Sequence, residues 1–449
     1  MLLSFSVTNW KSFKDKTTLS MMAGKETQHA AHIQYVPEYS LNVLPVSVVF
    51  GANASGKSNL VKALSFAASQ IISTNFDENE NILLDYFRLD PECAKIPCGF
   101  EFALIVSEIL YKYNFEFLNG KIYSEKLVRY QGKRATTIYE RRLNEFTKFA
   151  PKFPKEAKLF LSRTMSPKLA LSFMSQNVPD GLEELKKIYD WFRYSLVIIT
   201  PNSRIIRFDD NSMPTKKLSY VMSKIDAGVS RISFEKRPLE ACHLFPEEIE
   251  GIKRALLSGA KAIWSTNAMD EFFKFEIVDG ELVASKMISY HKSAGGKEVP
   301  FDICENSDGT RRCLHLFPAF NNLIRLGADC CYVIDEMDRS LHTNLVKQLL
   351  ASFLETRNQD TRSQLIMTNH DVWQMDQAIL RRDEIWLIER NPESGASELC
   401  ALNEYRIRRD RVLPKLYLEG QLGGVPQLDT FGDLFKYDDC GGDCGTNVR

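Results

Sequence analysis

The chain has 449 residues, 44% of them hydrophobic, which is enough for a large core and excludes a small stapled module; two or three domains, or one big domain with an insertion, fit that length. Lys plus Arg (57) nearly cancels Asp plus Glu (58), so no global field drives the chain to nucleic acid or membrane, and any nucleic-acid contact must be a local patch. No cationic lead opens the N-terminus and no window approaches about 18 uninterrupted apolar residues, so a cytoplasmic protein without a membrane span is expected.

In chain order, "LLSFSVTNW" alternates as a strand does, and "LPVSVVFG" reads as a buried strand ending at Gly51. A helix follows, because "SNLVKALSFAASQII" repeats apolar residues at helical spacing. "CGFEFALIV", "YKYNFEFL" and "KIYSEKLVRY" then alternate with the turn signal Asn119-Gly120 before the last, predicting an antiparallel sheet. These make up an N-terminal lobe, 1–140. Residues 141–285 read as a mainly helical insertion, with pieces such as "DGLEELKKIYDWFRY" and "PEEIEGIKRALLSG" between prolines, and no heptad run long enough for a coiled coil. A C-terminal lobe, 286–430, opens with a predicted β-hairpin in "SYHKSAGGKEVPF", in which His291 receives no catalytic role. It then alternates strand and helix through "ADCCYVIDE", "SLHTNLVKQLLASFLE", "SQLIMTN" and "DEIWLIER", the order of a parallel sheet covered by helices.

The ten cysteines are scattered, and Cys330 and Cys331 sit in an apolar run, which favours reduced packing thiols over a disulfide framework. The tail, 431–449, is polar and Gly-rich; Cys440 and Cys444 there read as a loose end or a metal pair without a second pair close by.

Gly51-Ala52-Asn53-Ala54-Ser55-Gly56-Lys57-Ser58 matches GxxxxGK[ST] at every fixed position, between a strand and a helix. The glycines let successive N–H groups of Asn53, Ala54, Ser55, Gly56 and the following Asn59 turn toward phosphates, and the helix start adds the positive end of its dipole. Lys57 then reaches the β/γ-phosphates and Ser58 ligates Mg²⁺. Asp335, at the end of "CCYVIDE", would complete the metal shell, and Glu336 directly after it suits a general base that polarises water for attack on the γ-phosphate. A solvated acidic turn is the plainer reading of Glu336.

With "ENSDGTRR" at 305–312, "VIDEMDRSLH" at 333–342 and "IMTNHD" at 366–371, these motifs occur in the order of ABC-type ATPase heads. The chain resembles the bacterial AAA15 ATP-binding proteins related to the RloA and AbiL phage-resistance ATPases, and more distantly the OLD and SMC/RecF heads. "NWKSF" near the start and "YLEGQLGGVP" near the end carry the likeness across most of the chain, the central region least. The resemblance implies an α/β fold: an ABC-type P-loop head with a mixed sheet flanked by helices, an antiparallel β subdomain and an inserted, mainly helical region. It also implies that Ser307, Asp308 and Gly309 form the signature that meets ATP bound to the opposite protomer, and that His370 is the switch histidine at the γ-phosphate. Asp338 and Ser340 to His342 would communicate between the two sites, unless His342 only caps the next helix. The glutamine that binds Mg²⁺ in such heads has no counterpart between 71 and 130.

ATP and Mg²⁺ are therefore the expected cofactors, and a homodimer or higher homo-oligomer the expected assembly. For the output, the resemblance implies a sensor or regulator of a separate, neighbour-encoded effector, a nuclease or toxin, in anti-phage defence. A RecF- or SMC-like ATPase acting on DNA is the alternative, and an ATP-dependent scaffold a third. Arg381, Arg382, Arg406, Arg408, Arg409, Arg411 and Lys415 form a basic cluster that either meets nucleic-acid phosphates or is a solvated face.

Overall fold

The computed structural model describes residues 1–73, 82–143, 145–163, 168–176, 181–203, 205–208, 215–225, 228–257, 262–267, 270–325, 327–358, 361–408 and 410–423. The tail with Cys440 and Cys444 lies outside the described residues, as do Arg409 and the end of "YLEGQLGGVP" from residue 424 on.

A six-stranded sheet runs through the centre in the order Leu196–Ile199, Cys331–Ile334, Gln364–Asn369, Val46–Phe50, Ile385–Arg390 and Ser397–Ala401. All neighbours are parallel except the last pair. Its strands read as short continuous apolar runs because both faces are covered. Val49, Cys331, Val333, Ile366 and Ile388 share a core with the helix Lys57–Ile72 and the N-terminal antiparallel sheet. Side chains of the opposite parity, among them Val48, Phe50, Ile334 and Met367, pack instead with the helices Asp308–Leu323 and Thr343–Glu355. The mixed, layered α/β fold expected from the sequence is thus present.

The N-terminal sheet has seven strands in the order 145–149, 134–142, 121–131, 109–118, 98–106, 2–8 and 17–20. The three alternating segments that predict it pair as successive antiparallel hairpins. All eight described cysteines are free and most are buried.

The segment 141–285 does carry helices, including Lys155–Arg163, Glu183–Asp190, Thr215–Ile225 and Pro246–Leu257. It also carries strands that the proline-broken pattern concealed: Ile205–Phe208, Ala262–Thr266, Phe272–Val278, Glu281–Lys292 and Val229–Arg237 form a further antiparallel sheet in that order. Strand Glu281–Lys292 runs across the expected boundary at 285/286, and Glu298–Asp302 pairs with it as the predicted hairpin. Leu196–Ile199, from the same segment, enters the central sheet beside Cys331–Ile334. Among the described residues, no helix is long and apolar enough to cross a membrane.

Candidate nucleotide site

The strand Val46–Phe50 delivers the chain to Gly51, and the helix starting at Lys57 takes it away. Gly56 sits at φ 117°, and a Cβ there would run into the Ser397 hydroxyl, with the Ser12 hydroxyl at 2.9 Å; only glycine fits the turn. Ser397 locks the same turn by donating to the Ser55 carbonyl at 2.6 Å, and Asn59 donates to Ser12 Oγ at 2.9 Å. Asn53 and Ala54 are exposed at the tip, whereas Ser55 Oγ is buried without a hydrogen-bond partner. Lys57 is buried and folds back on the loop it serves, donating to the carbonyls of Gly51 (2.6 Å) and Ala52 (2.9 Å). Burial holds its pKa down, against the pull of Asp338, Asp335 and Glu336.

Asp335 emerges from the strand Cys331–Ile334, which Gln364–Asn369 separates from Val46–Phe50, with Oδ1 3.4 Å from Ser58 Oγ, so two hard oxygen donors converge as Mg²⁺ requires. Thr368, fully buried one strand over, donates to the same Oδ1 at 2.6 Å, and its hydroxyl accepts from Glu336 N–H at 2.9 Å. Glu336 itself lies in the left-handed region at φ 49°, an unusual backbone for this residue that needs support from its surroundings. That support comes from both sides of the peptide: Thr368 holds its N–H, and Arg312 donates to the carbonyls of Asp335 (3.0 Å) and Glu336 (2.9 Å). Arg312 reaches them from the helix that opens at the predicted signature segment. Burial first, and the charge of Arg339 second, pull its guanidinium down to about 10.

His370 is exposed at the end of Gln364–Asn369. Its backbone N–H and that of Asp371 both donate to Asp338 Oδ2, at 2.9 and 2.7 Å, tying the His370 loop to the loop after Asp335. His342 does cap the helix Thr343–Glu355, its Nδ1 accepting from Asn344 N–H at 3.2 Å. Ser307, exposed, caps Asp308–Leu323 by accepting from Thr310 N–H at 3.1 Å. Asp308 pairs with Arg311. No described hydrogen bond joins Ser307, Asp308 or Gly309 to the loop 51–58 of the same chain.

Ser58, Asp335 and Glu336 are therefore brought together, and Asp338 links them to the His370 loop. Sequence reasoning missed Thr368 as a bridge, Arg312 as a clamp and Ser397 as the lock on the Gly56 turn. Ser12 lay within "NWKSF"; Ser397 has no local signal at all. The basic cluster divides: Arg381 is fully buried and pairs with Asp383 and Arg382 is spent on the carbonyls of Ile407 and Arg408, whereas Arg406, Arg408, Arg411 and Lys415 are exposed.

Such a strand, loop and helix facing a carboxylate pair across a parallel sheet define a P-loop ATPase domain. Residues 46–372, more than half of the chain, match the family described as "AAA domain, putative AbiEii toxin, Type IV TA system", and the chain belongs to that family. Among solved structures, the SMC head domain from Thermotoga maritima is similar at 13% identity, over 89% of this chain and 98% of that one, with a TM-score of 0.32. No curated protein matches the chain.

Proposed function

We propose that the chain binds ATP with Mg²⁺, hydrolyses it between two copies arranged head to tail, and acts as the sensor or regulator of a separate effector in bacterial anti-phage defence. The observation that carries the hydrolytic reading is Glu336, held in a left-handed backbone by Thr368 and Arg312 directly beyond Asp335.

The residues fit the ligands. Amides of the loop around Gly56 would face phosphate, Lys57 needs only to leave two carbonyls to reach it, and the orphaned Ser55 hydroxyl lies in the same loop. Ser58 and Asp335 would hold Mg²⁺; among the described residues no group of three or more His, Cys, Asp or Glu gathers elsewhere to hold a metal. The ion supplies charge neutralisation on the β/γ-phosphates. Glu336 accepts hydrogen bonding from the attacking water and aligns it, and His370 adds a donor at the γ-phosphate end. Ser307, exposed at the helix start, and Gly309, half-buried in its first turn, are suited to meet nucleotide held by a second copy. Binding then closes the pair and hydrolysis reopens it, a switch that a separate protein can read. The family's description, naming a toxin of a type IV toxin–antitoxin system, supports a defence setting.

The test is Glu336→Gln. Turnover should fall by roughly 10²–10⁴-fold while ATP binding is kept, the loss typical of a removed general base. Purified with ATP and Mg²⁺ from its native operon, the variant should carry a stoichiometric neighbour-encoded protein on a dimer by native mass. Unchanged turnover would remove Glu336 from the chemistry. A dimer carrying DNA and no protein would instead favour the RecF/SMC-like alternative, which the burial of Arg381 and Arg382 leaves with a smaller basic surface.

A further inference from the structure

A second polar cavity of about 230 Å³ opens beside the Glu336 loop, lined among others by Asp308, Arg311, Arg312, His315, Arg339 and Ser340. We propose that it is a binding site for a phosphate-class oxyanion, gripped by Arg312 and Arg339, whose occupancy is felt by the catalytic loop.

The charges there do not balance internally. Arg311 takes both acids: its guanidinium donates to Asp270 at 2.8 Å and pairs with Asp308. Arg312 is left without an ion pair, and Arg339 with a weak one. Arg339 is about half exposed, and its contact with Glu336 is long, 3.7 Å. Arg312 is 7% exposed and has no carboxylate partner; its described hydrogen bonds go to two carbonyls, and its Nε is buried with no partner at all. A buried guanidinium without an ion-pair partner is costly, and the half-exposed charge of Arg339 on the same cavity adds to the positive field. An oxyanion offers the fork-shaped acceptor set that two guanidinium groups match.

The rest of the lining suits that occupant. His315 Nε2 lies 3.0 Å from Thr266 Oγ1 and its ring packs on Phe272, so it is fixed and, with its pKa held at about 4 by burial, neutral at physiological pH. Gly309 lets the helix start approach so closely that a Cβ would meet the Ser340 carbonyl at 2.8 Å, which brings Asp308–Leu323 against the loop carrying Arg339. At roughly 30 Å³ per water, the space takes a phosphate with a few waters or a small phosphomonoester. Because Arg312 also holds the carbonyls of Asp335 and Glu336, an anion drawing on it changes the support of the catalytic loop.

The test is isothermal titration of the nucleotide-free protein, where no ATP can bridge two copies, with inorganic phosphate and separately with glycerol phosphate. Saturable binding should survive Lys57→Ala and weaken about tenfold or more in Arg339→Ala, one charged hydrogen bond's worth. Arg339 is exposed enough that its truncation should leave the thermal midpoint unchanged, so lost binding there is not lost folding. Tighter inorganic phosphate would assign the free ion, and tighter glycerol phosphate a phosphomonoester. Binding lost in Lys57→Ala, binding indifferent to Arg339→Ala, or a non-saturable signal (an adventitious ion only) would overturn the site. None of these outcomes depends on whether the protein turns over ATP.

Discussion

The two sides of the nucleotide site are built by opposite devices. The phosphate loop is contiguous: strand, turn and helix occupy residues 46–72, and its shape follows largely from where glycine stands. The carboxylate side is assembled from segments far apart in the chain, with Asp335 and Glu336 on one strand end, Thr368 on the next strand and Arg312 on a helix. A local device is legible, and here it leans on distant residues only where Ser397 and Ser12 brace the loop. An assembled one depends on every contributor, so damage at a distance in sequence should appear at the same atoms.

The largest expected effect lies on the contiguous side. Lys57→Ala removes the charged donor of the loop, and two charge-assisted hydrogen bonds to phosphate are worth about 3–4 kcal/mol together, so nucleotide affinity should fall by about 100- to 1000-fold. Because Lys57 is buried with its pKa depressed, the neutral side chain should leave the fold intact. Titration with a fluorescent ATP analogue, alongside a thermal melt, reads both. Loss of folding together with binding would mean that Lys57 props the loop through the Gly51 and Ala52 carbonyls as much as it serves the ligand.

On the assembled side, Thr368→Val keeps shape but strips the bridge. Asp335 loses a donor and Glu336 N–H loses its acceptor, a cost of about 3 kcal/mol if nothing else moves in. Urea unfolding should show that loss, and turnover should fall more than ATP affinity, since the phosphate loop is untouched. Equal loss of affinity and turnover would show the two sides to be one cooperative unit.

The same contrast explains what could be read from the sequence. The phosphate loop, the hairpins of the N-terminal sheet and the strand ending in Asp335-Glu336 are local patterns, and each stands where its period and turn residues placed it. Leu196–Ile199 is four residues long and lies in a segment dominated by helical signals, so nothing local marks it as an edge of the central sheet. The second antiparallel sheet was hidden for a related reason: its strands are separated by the helices Thr215–Ile225 and Pro246–Leu257, whose periodicity dominates the segment. Arg381 and Arg382 misled because a run of charge looks solvated in one dimension, while the fold wraps the carbonyls of residues 26–28 and 407–408 around them.

The smallest effect concerns the helix that carries Arg312 to the carboxylate side. His315, on Asp308–Leu323, is pushed from an ordinary 6.5 down to about 4, by burial first and by the neighbouring Arg312 charge second. The folded protein therefore refuses a proton that the unfolded chain accepts below pH 6.5. Unfolded molecules bind more protons through that window, so stability rises with pH: the contribution is intact above 6.5 and is lost as pH falls toward about 4. By pH 5 it should amount to about 1–2 kcal/mol. Protonating carboxylates contribute over part of the same range, so the informative quantity is the difference between the protein and His315→Gln, whose stability should decline less steeply from pH 7 to about 5. Parallel declines would mean that the imidazole charges without cost, and that the helix carrying Arg312 yields more readily than its burial implies.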